Sequence, residues 1–290
     1  MLEIQTRGII WFIVHCLCFT LISVLTKHIM VHLPLFQIVF FQTAIGAVLL
    51  LALTVFKLKQ NLHLKHGMMH ASRALLWVLA TVMFFYAVHH IVLAKAVAVS
   101  FSVPLFTSMM AIIWLKERLY YRRVMALIFG LIGMLVVIQP GIGGYEPETL
   151  WVVAASFLWS LTDIMIKILG RTYHPIVQTF YFAVFGALCS LPVALFYWET
   201  PTIADMGWLV VLAAVFAVNI ITVSKSYQQA DLTVLMPFAF TQLVFSAGIA
   251  YLVFSEVMEM TTLIGALLIV MSTSYMTYSE HKKNKIKQWS

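Results

Sequence analysis

The sequence predicts an all-α, polytopic membrane protein with ten transmembrane helices arranged as two inverted five-helix repeats. Three observations predict it. Apolar residues make up 62% of the chain and charged residues only 10%, against about 45–50% and about 25% in a typical soluble protein. Apolar runs long enough to cross a bilayer recur along the whole length, separated by turn chemistry. The chain also resembles itself at an offset of about 140 residues.

A hydrocarbon core of about 30 Å needs roughly 20 apolar residues in a helix rising about 1.5 Å per residue. The first span is placed at 8–28. It is long enough to cross, lacks an A-x-A-type cleavage site and is matched by a later segment, so it reads as a retained helix and not a signal peptide. Leu33-Pro34 separates it from the second span, 35–56, which the polar run Lys57-Leu58-Lys59-Gln60-Asn61 closes. The third and fourth spans, 71–90 and 93–115, nearly abut at Ile91. Lys116-Glu117-Arg118 precedes the fifth, 121–139, and Pro140-Gly141-Ile142-Gly143-Gly144 separates it from the sixth, 148–169. His174-Pro175 opens the seventh, 175–198, and Thr200-Pro201 precedes the eighth, 206–227. The ninth and tenth are 232–254 and 261–278.

A net charge of +7 could suit a nucleic-acid binder, but the basic residues sit in short stretches between apolar runs. That is the pattern of the positive-inside rule, and nucleic acid is not an expected partner. Sixteen Lys and Arg residues, from Arg7 and Arg73 to Lys167 and Lys287, fall on one side of the ten-span arrangement; only Lys27 and Lys95 fall on the other. Both termini are therefore placed in the cytoplasm. Cys16, Cys18 and Cys189 all lie in apolar runs and form neither a disulfide framework nor a metal-ligand spacing.

The repeat aligns Trp11 with Trp151, Phe19 with Trp159, Thr20 with Ser160, Ser23 with Asp163 and Lys27 with Lys167. A one-residue shift then aligns Pro34-x-x-Gln37 with Pro175-x-x-Gln178, and Lys116-Glu117 meets Ser255-Glu256. The two units are read as 1–141 and 146–290. An odd number of helices per unit inverts the second copy in the membrane, an arrangement found in transporters whose site lies between the halves near the midplane. Such halves can open to either side by exchanging conformations. A receptor or membrane enzyme is the different-class alternative. An enzyme should cluster His, Asp or Glu at membrane depth, and the interiors of these spans hold one carboxylate and few histidines.

The first unit closes on Pro104-Leu105-Phe106, Leu115-Lys116-Glu117-Arg118, Ala126-Leu127-Ile128-Phe129-Gly130-Leu131-Ile132-Gly133 and Gln139-Pro140-Gly141. The second holds Pro237-Phe238-Ala239-Phe240-Thr241-Gln242-Leu243, Phe254-Ser255-Glu256 and Gly265-Ala266. Both resemble the EamA-type domain of the drug/metabolite transporter superfamily, which implies a ten-helix secondary transporter. In the second unit the proline lies 19 residues before Glu256, against 13 between Pro104 and Glu117, so a bend there falls at a different depth. Three stretches, Ser100–Thr107, Leu161–Lys167 and Tyr278–Lys283, are similar to the S-adenosylmethionine uptake transporters of intracellular bacteria. That resemblance implies uptake or exchange of S-adenosylmethionine; export of amino acids, nucleosides or drugs is the same-fold alternative.

Asp163 is the one carboxylate in the interior of an expected span, and an ionisable group at membrane depth is a functional candidate by default. Ser156, Trp159, Ser160, Asp163 and Lys167 form a stripe at i, i+3, i+4, i+7 and i+11. Its counterpart on the first span is Cys16, Phe19, Thr20, Ser23 and Lys27, and two facing stripes would line a cavity. The competing account pairs Asp163 with Lys167 at i, i+4, so that the two neutralise each other. Asn219 and Thr222, Thr241 and Gln242, and Ser100 and Ser102 before Pro104 are further polar candidates; interhelical hydrogen bonding explains them as well as ligand contact does. Tyr86 and Trp159 offer aromatic faces. Lys27 is a candidate for a substrate carboxylate. His63, His66 and His70 share a spacing that could hold a metal, but a solvated basic loop suits them better. Neither a cofactor fingerprint nor a phosphate loop is present in the sequence.

The expected partners are the bilayer and a small cationic or zwitterionic metabolite, and a homodimer is left open. The expected location is a bacterial cytoplasmic membrane. Reporter fusions at Gly144 and at the C-terminus test the topology: the expected result is a periplasmic signal at Gly144 and a cytoplasmic one at the C-terminus. Identical signals would remove the inverted arrangement.

Overall fold

The computed structural model describes residues 2–52, 65–91, 96, 99–100, 102–117, 121, 124–125, 128–129, 132, 147–254 and 264. Nine α-helices are found among the described residues, and no strand. They are α1 (Leu2–Ile29), α2 (Leu35–Ala52), α3 (Gly67–His90), α4 (Ser102–Leu115), α5 (Thr149–Leu169), α6 (Pro175–Phe196), α7 (Ile203–Gln229), α8 (Leu232–Leu235) and α9 (Thr241–Phe254). Six of them, α1 to α3 and α5 to α7, are long and apolar enough to cross a membrane. Of the expected spans 121–139 and 261–278, only residues 121, 124, 125, 128, 129, 132 and 264 are described, so ten helices are not established.

Local chemistry accounts for the helix starts. His174 caps α6, its ring Nδ1 accepting from the Ile176 N–H at 3.4 Å, and Pro175 fills a first-turn position where its missing N–H costs nothing. Thr202 and Asp205 form a capping box on α7. The Asp205 N–H donates to Thr202 Oγ1 at 3.2 Å, and the Thr202 N–H donates to Asp205 Oδ2 at 3.0 Å. The expected ninth span is not one helix. It is α8, a 3₁₀ turn over Met236–Phe240, and then α9. The break contains Pro237, which cannot donate to a helical ladder.

One boundary moves outward from the sequence reading. α3 begins at Gly67 rather than 71, so Arg73 and His70 stand inside it and are buried. Neither belongs to a solvated loop, and Arg73 does not belong in the tally of surface charge. Lys167 and Lys225 likewise lie within α5 and α7. His63 lies outside the described residues. The His70 ring packs between Tyr173 and Tyr181, at 4.9 and 5.1 Å between centroids. Among the described residues, no group of three or more His, Cys, Asp or Glu is placed to hold a metal.

The main helix contacts occur in pairs that exchange when the halves are swapped. α1 packs on α7 as α5 packs on α3; α4 packs on α5 as α9 packs on α1; α3 packs on α6 as α7 packs on α2; and α2 packs on α6. Small residues permit the closest approaches, as expected where lipid supplies no hydrophobic drive between helices. An added Cβ at Gly8 would lie 3.0 Å from Ala230 Cβ, and one at Gly186 3.0 Å from the Thr43 methyl. Buried Ile22, Ile38, Phe182, Leu209, Phe216 and Ile220 tie α1, α2, α6 and α7 together. Ile10, Leu79, Phe157, Leu195 and Val218 point outward, as residues facing lipid do.

Gly8→Leu should force α1 away from α7. The expected cost is about 1–3 kcal/mol for overpacking. Gly207→Ala, where an added Cβ meets nothing within 4 Å, should instead gain up to about 1 kcal/mol of helix propensity. Thermal unfolding of both variants in detergent checks the pair, and equal behaviour would contradict the close approach.

Candidate binding cavity

A cavity opens where α1, α3, α4, α5, α6, α7 and the α8–α9 break converge. From α1 come Phe12, His15, Cys16 and Phe19, and from α5 come Trp159, Thr162, Asp163 and Ile166. α7 supplies Asn219, Ile220, Val223 and Tyr227; the broken segment supplies Met236, Ala239 and Gln242. Arg73 and Trp77 enter from α3.

Asp163 is the centre of its polar network. Thr107 Oγ1 on α4 donates to Asp163 Oδ2 at 3.0 Å, and Tyr227 on α7 lines the same cavity. Lys167 is not its partner. The Lys167 ammonium donates to the Ala230 carbonyl and takes its electrostatic support from Glu117 and Asp231. Glu117 in turn accepts from the Leu232 N–H at 3.1 Å and the Thr233 N–H at 3.0 Å, capping the start of α8. Lys167 and Glu117 thus join the end of α4 and the end of α5 to the α7–α8 corner.

Arg73 and Tyr227 were missed from the sequence. Arg73 is 1% exposed, and its guanidinium lies over the Phe182 ring, 4.2 Å from the centroid. It interacts electrostatically with Asp163. Six residues separate Arg73 from the start of α3 and Asp163 from the end of α5, so each lies about 9 Å inside its helix end by the helical rise. The signals were present: Arg73 and Trp77 stand at i, i+4, and Asn219, Val223 and Tyr227 at i, i+4, i+8 on one face. Closeness to a helix end made Arg73 look interfacial.

Of the residues singled out by sequence, Asp163, Trp159, Asn219, Gln242, Cys16, Phe19 and Ser100 line the cavity, whereas Thr20, Ser23, Lys27, Tyr86, Ser102 and Ser160 do not. The stripes on α1 and α5 share Cys16, Phe19, Trp159 and Asp163 with the lining, and their other members stand beside it. Thr20 and Ser23 bond their hydroxyls back to the carbonyls of Cys16 and Phe19, at 3.1 and 3.0 Å. Ser160 bonds to the Ser156 carbonyl at 2.8 Å and the Val103 carbonyl at 3.2 Å, serving the α4–α5 contact. Ser102 stands just off the lining, which takes Ser100 instead. Lys27 sits in the last turn of α1, beyond reach of the cavity residues of that helix. Tyr86 is half exposed on the outer face of α3, stacked with His90 and Trp151.

The remaining lining is pre-set. Asn219 Nδ2 donates to the His15 carbonyl at 3.0 Å and approaches His15 Nδ1 at 2.9 Å, fixing α7 to α1. Trp159 is held between Phe19 and Phe84, at 5.9 and 5.2 Å between centroids, and its indole N–H has no partner among the described residues. One carboxylate, one guanidinium and an aromatic wall suit non-covalent recognition of a charged, ring-bearing molecule. Trp159 alone offers a cation–π or stacking contact of about 0.5–2 kcal/mol.

Residues 6–139 and 147–278 each match the profile of the EamA-like transporter family. The chain is 31% identical to an S-adenosylmethionine uptake transporter of Rickettsia felis over 97% of this chain and 96% of that one. It is 25% identical to a riboflavin transporter of Vibrio cholerae, covering 96% of this chain and 95% of that one. A solved chain, 19% identical, superposes with a TM-score of 0.77 over 97% of this chain and 98% of its own length, which shows a shared fold. The family and these relatives are transporters and not enzymes.

Because Lys167 does not touch Asp163, a double-mutant cycle of Asp163→Asn with Lys167→Gln should give additive stabilities, coupling by less than about 0.5 kcal/mol. The cycle of Asp163→Asn with Thr107→Val should couple by about 0.5–3 kcal/mol. Thermal unfolding in detergent measures both.

Proposed function

We propose that this chain, which belongs to the EamA-like transporter family, takes up or exchanges S-adenosylmethionine across a bacterial cytoplasmic membrane. The observation that carries this reading is Asp163, a partly buried carboxylate in the cavity wall with Trp159 one helical turn away. Charges attract far more strongly in such surroundings than in water, so the carboxylate favours a cation. S-adenosylmethionine carries a sulfonium and an ammonium, and its adenine offers a ring to Trp159. The identity to rickettsial uptake transporters supports the same choice.

Alternating access follows from the same arrangement. Helix contacts that exchange between halves support two related units, 1–141 and 146–290, and the charge bias of the loops supports cytoplasmic termini. The cavity residues lie toward the start of α3 and toward the ends of α5 and α7, one face of the bundle, as expected of one endpoint of an alternating cycle. The Glu117 and Lys167 contacts to the α7–α8 corner close that face. In this reading they must break when the cavity opens there.

Uptake of radiolabelled S-adenosylmethionine into proteoliposomes is the test. Asp163→Asn should lower uptake at least about thirtyfold while the protein stays folded, since removing one partner of a buried charge contact costs about 2 kcal/mol or more. Lys167→Gln should be milder. Riboflavin, which carries no cation, should compete poorly; strong competition with uptake indifferent to Asp163 would favour a neutral ring-bearing substrate.

A further inference from the structure

We propose that Arg73 binds the carboxylate of the transported molecule, so that the cavity accepts a zwitterion: its cationic groups at Asp163 and its carboxylate at Arg73. The inference rests on the transport reading above and adds what the cavity demands at its second charge. A guanidinium carries five N–H donors in a planar fork. In this structure Arg73 Nε, Nη1 and Nη2 are all buried and have no hydrogen-bond partner among the described residues.

Buried polar groups are nearly always hydrogen-bonded, and an orphaned one in a native structure calls for an explanation. Phe182 supplies a surface beneath the guanidinium but no acceptor. Asp163 balances the charge from across the cavity, yet no hydrogen bond joins the two. Arg73 lines a cavity whose wall also holds the Trp159 indole N–H, likewise buried and without a partner among the described residues. A carboxylate matches the guanidinium fork in a bidentate geometry that no lysine reproduces. Stacking on Phe182 sets the plane of the fork before a ligand arrives. Lys27, the sequence-based candidate for this role, lies in the last turn of α1 and away from the cavity.

The rival account makes Arg73 only a counter-charge for Asp163. The two differ in what happens to a ligand from which the carboxylate has been removed. Two matched pairs serve as probes: S-adenosylmethionine with its decarboxylated amine, and methionine with 3-(methylthio)propylamine. Binding to the purified full chain in detergent is titrated by quenching of tryptophan fluorescence, with Trp159 and Trp77 as reporters in the cavity wall. The expected result is a preference of at least tenfold for the carboxylate member of one pair or both. In Arg73→Gln that preference should fall to about one, through loss of the carboxylate member alone. Arg73→Lys, which keeps the charge and loses the fork, should retain part of it and decides the matter if Arg73→Gln does not fold. Asp163→Asn should weaken both members of a pair.

A wild-type protein that shows no carboxylate preference in either pair, whether it binds both members or neither, overturns the assignment. So does a preference that survives in Arg73→Gln and Arg73→Lys. Uptake of S-adenosylmethionine by the wild type is measured separately. Uptake without an Arg73-dependent preference overturns this inference alone; an Arg73-dependent preference in the methionine pair without such uptake overturns the substrate reading alone.

Discussion

Lipid offers the backbone no hydrogen bonds, and every feature of this chain answers to that constraint. Each unpaired N–H or C=O in hydrocarbon is costly, so the chain crosses as helices that satisfy their own backbones. Irregular backbone is tolerated only where protein or a cavity surrounds it. The 3₁₀ turn at Met236–Phe240 fits that rule: Met236 and Ala239 line the cavity, and the Phe238 carbonyl accepts from Thr241 Oγ1 at 2.7 Å and from the Cys16 thiol at 3.9 Å. The same economy governs the hydroxyls. Thr20, Ser23, Ser156, Thr179 and Ser190 each donate to the carbonyl four residues earlier on their own helix. A polar side chain in a span is thus as often self-satisfied as available for ligand.

Packing between the halves then makes the cavity. α1 lies against α7 and α3 against α5, so neither half of the chain closes a core alone. Gly8 and Gly186 permit approaches that a larger residue would block. The Ser226 hydroxyl donates to the Gly8 carbonyl at 2.8 Å, adding a polar tie at the same crossing. Because both halves contribute to one void, any relative movement of the two changes its access.

Two opposite charges inside that void need a physical reason. A buried pair is poor evidence of stability, since desolvation offsets most of the attraction. Lys167 shows how a merely structural cation is treated: it is tied to a carbonyl and flanked by two carboxylates. Arg73 has no such tie among the described residues, and Asp163 keeps one of its neighbours at hydrogen-bond distance while facing open space. Their surroundings set them apart from the charges that hold the bundle together.

The membrane class, the helices α1 to α3 and α5 to α7, the repeat and the presence of Asp163 within a span were legible in the sequence, because composition, span length and the rarity of a carboxylate in an apolar run are local properties. The EamA resemblance was legible for the same reason, carried by short contiguous stretches. Which members of the stripes on α1 and α5 line the cavity was not. A helical face is defined by what packs on it, and the packing left Thr20, Ser23 and Ser160 off the lining and brought His15 and Thr162 onto it. Arg73 was hidden for a related reason: a basic residue six positions into a helix reads as interfacial until the tertiary structure shows Phe182 against it and its side chain buried. Sequence determined which groups enter the membrane; only the packing of one half on the other decided which of them meet.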